Sequence, residues 1–155
     1  MSNTALYYLQ SAACLAMLLF ALWKGGSPER FGASVIVGIW MLQRAVGAFI
    51  DPAIYPIIQL IGDGLTALGL LVIALAYGSL WIGGAMLLYA AQFTLHSYYF
   101  VTERPKDRFH AIVNNVDFTA IILCLVIGTL VAWRQRVVAT RRAAAAATAV
   151  AAPSA

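Results

Sequence analysis

The chain has 155 residues, 63% of them hydrophobic and only 10% charged, with a net charge of +4, a pI of about 9.3 and a mean hydropathy of +0.85. That is the length of one domain, with far fewer charges than the roughly 25% of ordinary soluble domains. A water-soluble fold would leave too much apolar surface in water, so the composition argues for an all-α integral membrane protein, and the basic excess does not point to nucleic acid.

The first apolar run, residues 5–23, follows a Met1-Ser2-Asn3-Thr4 start that lacks the basic region of a cleavable signal. It is long enough to span and carries Tyr7, Tyr8 and Trp23 at its ends, as interfacial aromatics do. It is therefore expected to remain as an anchor. Lys24 to Arg30 contain Gly25, Gly26, Ser27 and Pro28 and read as a loop. The second span is 31–50. Asp51-Pro52 and Tyr55-Pro56 close it and form a turn centred between residues 53 and 54.

Residues 57–101 contain one charge, Asp63. As one helix this stretch would be about 67 Å long, twice the thickness of a bilayer core. The break is expected at Gly78-Ser79, between Tyr77 and Trp81, which makes the third span 57–77 and the fourth 80–101. A charged loop follows, with Glu103, Arg104, Lys106, Asp107 and Arg108, and His110 is expected among the headgroups. The fifth span is 111–133. Residues 137–155 are rich in alanine and read as a mobile cytoplasmic tail beyond a single transmembrane domain, 1–136. Cys14 and Cys124 fall inside spans and read as small buried hydrophobes.

With five spans the termini lie on opposite sides. Lys24, Arg30 and the tail arginines 134, 136, 141 and 142 make six basic residues on one side, against Arg104, Lys106 and Arg108 on the other. The positive-inside rule then sets the N-terminus out and the C-terminus in. The stretches 29–35 and 107–113 resemble each other (ERFGASV and DRFHAIV), and both begin a span. They read as a shared way to start a helix, with an acid against the helix dipole and an Arg at headgroup level.

The polar residues inside the spans fall at one depth. Arg44 and Asp63 are equidistant from the centre of the second turn, and they are expected to pair. His96 and Asp117 are equidistant from a point near residue 106, and Gln10 lies about six residues inside the first span. Each helix thus contributes one residue to a slab roughly 9 Å below the outer edge. Gln92 shares a face with His96 at a spacing of four, and Asn114 with Asp117 at a spacing of three. A charge at mid-helix costs roughly 2.5–3.5 kcal/mol, and interhelical hydrogen bonds return only about 0.6 kcal/mol each. Arg44, Asp63, His96, Asp117, Gln10, Gln92 and Asn114 are therefore the candidates for binding a ligand or protons.

No zinc-helix, nucleophile-elbow, phosphate-loop or Cys-x-x-Cys motif is present. No catalytic residue, metal or other cofactor is expected. Two functions remain. The first is a small non-enzymatic subunit or assembly factor of a complex in a bacterial-type inner membrane. The second is a small oligomeric transporter or binding protein for protons or a small polar solute. The expected partners are the lipid bilayer and either further copies of the chain or other membrane subunits.

Overall fold

The structure is a computed structural model. It describes residues 3–105 and 107–151, with the side chains of residues 3–7, 10 and 149–151 left out. All of the described secondary structure is helical: α1 (Asn3–Lys24), α2 (Ser27–Gly47), α3 (Tyr55–Tyr77), α4 (Leu80–Val101) and α5 (Arg108–Ala151). The helices pack as a ring in chain order, α1 against α2, α2 against α3, α3 against α4, α4 against α5, and α5 back against α1, with α2 and α5 also touching across the middle. Short connections make sequential neighbours antiparallel. The α2–α3 and α4–α5 connections lie at one end of the bundle and the α1–α2 and α3–α4 connections at the other.

The breaks come where turn chemistry requires them. Gly78 ends α3 with φ +61°, a left-handed conformation that costs glycine nothing, and the helix restarts at Leu80. Helix α2 begins four residues before the expected span. Pro28 is accepted in its first turn, and the Glu29 carboxylate accepts the Gly26 N–H at 2.8 Å. Helix α5 begins at Arg108 because the Asp107 carboxylate, just outside it, accepts the His110 N–H at 2.9 Å. The two similar stretches start their helices differently: Glu29 acts from inside the first turn of α2, whereas Asp107 caps α5 from outside it and α5 has no acid in its first turn. At the other end α5 does not stop at Trp133. Its backbone stays helical to Ala151 through the alanine run, which has the highest intrinsic helix propensity. Lys106 lies outside the described residues.

Two helices, Tyr55–Tyr77 and Arg108–Thr148, are long and apolar enough to cross a membrane by length and composition. The others fall short for identifiable reasons. In α1 the apolar run counted over described residues, Ser11–Lys24, is shorter. Helix α2 carries Glu29, Arg30 and Arg44, and α4 is diluted by Gly83, Gly84, Gln92 and His96.

The core divides by depth. Toward the α1–α2 end it is mostly apolar, with Ile36, Val37, Leu70, Ile82 and Leu125 buried together, and Glu29 and Thr129 the buried polar residues there. Toward the α4–α5 end Asp63, His96, His110 and Asp117 are buried among one another's helices.

Candidate functional site

Connection lengths set the register of the polar layer. Residues 48–54 join α2 to α3, so residues equidistant from residue 51 face each other. Gln43 and Gln59 are eight residues on either side, and the Gln43 amide donates to the Gln59 carbonyl at 3.0 Å. Gly62 makes this possible, because a Cβ there would lie 2.0 Å from the Gln43 amide nitrogen. Arg44 is about a turn nearer the end of the bundle than Asp63, and its guanidinium lies 5.6 Å from the centre of the Trp40 ring on its own helix. The partner in contact with the Asp63 carboxylate is His96, where sequence spacing alone points to Arg44.

The same reasoning corrects α4 and α5. The connection is 102–107, centred near 104.5 and not 106, because α5 starts three residues early. His96 therefore meets Asn114, not Asp117. Its Nδ1 lies 2.5 Å from Asp63 Oδ2, and its Nε2 lies 3.2 Å from Asn114 Oδ1. The Gln92 amide donates to that same Asn114 oxygen at 3.3 Å. Asp117 sits a turn deeper. It is 8% exposed, and its Oδ2 has no hydrogen-bond partner among the described residues. The Gln10 side chain lies outside the described residues.

Four helices line a partly open polar cavity of about 70 Å³ at this level. Helix α2 supplies Trp40, Gln43 and Arg44. Helix α3 supplies Tyr55, Gln59 and Asp63, α4 supplies Gln92 and His96, and α5 supplies Asn114 and Phe118. Five of the seven sequence candidates, Arg44, Asp63, His96, Gln92 and Asn114, line it, and Asp117 does not. Gln59 and His96 also line a second, open cavity of about 360 Å³ at the α4–α5 end, together with Tyr99, Glu103, Arg104 and His110. These two residues are common to the small polar chamber and the wider one.

His110 is 7% exposed and lies in the first turn of α5, not in the loop. Its ring stacks on His96 with centres 5.3 Å apart, and Tyr99 meets it edge-on at 4.8 Å. The Tyr99 hydroxyl donates to Asp107 at 2.7 Å. Hydrogen bonds from the His110 N–H and then from Tyr99 hold the Asp107 carboxyl below its usual range. Sequence reasoning missed His110 because it assigned the helix start to residue 111. An Asp three residues before a His at a helix entrance was the available signal. It also missed Gln43, which is adjacent to Arg44 and faces Gly62.

Asn114 Oδ1 accepts from the Gln92 amide and faces His96 Nε2. A hydrogen bond between His96 Nδ1 and Asp63 Oδ2 needs one proton between them, whichever of the two holds it.

Comparison of the chain with protein-family models, curated proteins and solved structures gives no match.

Proposed function

We propose that the chain is a five-span membrane protein, N-terminus out and C-terminus in, that takes up protons or a solute of a few heavy atoms from the outer side through the His96–Asp63 pair. The carrying observation is that His96 and Gln59 line both the small polar chamber and the wider cavity beside it. A chamber of about 70 Å³ suits a few waters or a very small solute. In this reading His96 receives a proton from the open side, beside His110, and shares it with Asp63. Arg44, on the same chamber, would balance an anion. Intramembrane ionisable groups mark such pathways by default.

Membrane residence is supported by two helices of spanning length and apolarity and by exposed apolar residues all round the bundle, among them Leu19, Leu68, Leu75, Leu87, Leu123 and Ile127. A compact-looped chain with most of its loop and tail basic residues at one end suits a bacterial-type inner membrane. One such chain is small for a transporter, so a homo-oligomer fits this reading.

The test is proteoliposomes holding a pH-sensitive dye. An imposed pH gradient should collapse faster than in empty vesicles, and Asp63→Asn or His96→Gln should return the rate to that of empty vesicles. Equal rates in wild-type, variant and empty vesicles would sink the proposal.

A second reading, a non-enzymatic subunit or assembly factor of a membrane complex, draws on α5. Its continuation carries Arg141 and Arg142, both exposed, beyond the level where Arg136 meets the end of α1. Crosslinking in native membranes separates the two readings. A stoichiometric unrelated partner favours the subunit, and a pure homo-oligomer favours uptake.

A further inference from the structure

The end of the bundle opposite the polar chamber has a site of different chemistry. Helix α1 stops at Lys24 while α5 runs on past it, and the Arg136 guanidinium joins them by donating to the Lys24 carbonyl. Arg136 Nε also donates to the Ala132 carbonyl at 3.3 Å, which fixes the guanidinium along α5. The Lys24 ammonium lies 4.1 Å from the centre of the Trp23 ring and 5.0 Å from that of Trp133, so it is held between indoles from two helices. Around this junction is an open cavity of about 430 Å³, lined by Trp23, Lys24, Trp133, Arg136, Thr140 and Arg141. Three cations converge on it, and among the described residues no carboxylate lines it.

We propose that this cavity holds the phosphate of an anionic phospholipid. The inference rests on the membrane-spanning reading above and adds to it a lipid site on the inner face. The cations select an anion, and Arg136 and Arg141 suit phosphate geometry. The indoles decide the source. Trp23 is 76% exposed and Trp133 40% exposed, both at the level of the cations. Exposed indoles beside basic residues at helix ends mark the boundary between hydrocarbon and headgroups. A lipid satisfies both features, its phosphate on the cations and its glycerol and upper chain against the indoles. A free phosphate would use only the cations. Basic pockets between helices on the cytoplasmic side are a known form of headgroup recognition.

The test counts lipids retained by the detergent-purified chain in native mass spectrometry, with phosphatidylglycerol and phosphatidylcholine as probes. Phosphatidylglycerol should be preferred, and Lys24→Gln and Arg141→Gln should each weaken it about fivefold. Arg134→Gln removes the same charge from the same stretch of α5 outside the cavity, and it should change binding less than twofold. Equal weakening by Arg134→Gln, or no preference for phosphatidylglycerol, overturns the proposal. Displacement of the lipid by millimolar inorganic phosphate also overturns it, by making free phosphate the ligand. Recovery of the chain in the soluble fraction of lysed cells would remove the membrane reading itself. A membrane-bound chain without lipid preference loses only this site.

Discussion

His96 and Asp63 meet side chain to side chain, Nδ1 to Oδ2 at 2.5 Å, across a 33-residue separation and with both residues buried. Removing one member strands the other. Asp63→Ala and His96→Ala should each cost about 3–5 kcal/mol, the usual result of breaking a buried pair. The double variant should cost clearly less than the sum, because the stranded group is gone. Reversible unfolding in mixed micelles measures this, and simple additivity would mean that the contact carries no coupling.

Asp107 predicts an acid-sensitive end of the bundle. Its carboxyl is held below its usual range by the His110 N–H and by Tyr99. A lowered folded-state pKa stabilises above the unfolded value of roughly 4, and that contribution disappears as pH falls through the lower folded value. The melting temperature of the wild type should therefore include a component that is constant from pH 5 to 7 and lost below roughly pH 4. Asp107→Asn should melt lower at neutral pH and lack that component. A wild type and variant that fall in parallel through the acid range would remove Asp107 as its source.

Much of the helix layout was legible in the sequence, because it depends on local chemistry. Gly78, the proline-containing turn at 52–56 and the charged loop each interrupt an apolar run, and five helices follow from them. The candidate layer was legible only as a layer. Its contacts depend on where each helix begins, and caps decide that. Shifting the start of α5 from 111 to 108 exchanges Asn114 for Asp117 at His96. Moving the α2–α3 centre to residue 51 takes Arg44 out of register with Asp63 and sets Gln43 opposite Gln59. Glu29 reads as a loop acid in the sequence. It is 4% exposed, and it accepts the Trp81 indole N–H at 3.1 Å from a helix more than 50 residues away, which no local pattern encodes.

That indole closes the apolar half of the bundle and gives a paired prediction. A Cβ on Gly128 would lie 2.4 Å from the Trp81 ring, whereas one on Gly83 would meet nothing within 4 Å. Gly128→Ala should cost about 1–3 kcal/mol by overpacking. Gly83→Ala should be neutral or stabilise by up to about 1 kcal/mol through helix propensity. The same unfolding assay compares them. Equal effects would show that Trp81 can move aside freely.

Asp117 distinguishes cost from use. Its Oδ2 is buried without a hydrogen-bond partner among the described residues, and an unsatisfied buried polar group costs about 1–3 kcal/mol. If Asp117 is only a cost, Asp117→Leu should stabilise the bundle by roughly that amount and leave dye-detected proton movement unchanged. If it receives the proton from the His96–Asp63 pair a turn above, the same substitution should stabilise the bundle and stop the movement. Asp117→Asn keeps the shape and removes the titrating group, so it should reproduce the loss of movement with a smaller change in stability. A variant that destabilises the fold would refute both alternatives, because it would require a partner for Asp117 that holds the helices together.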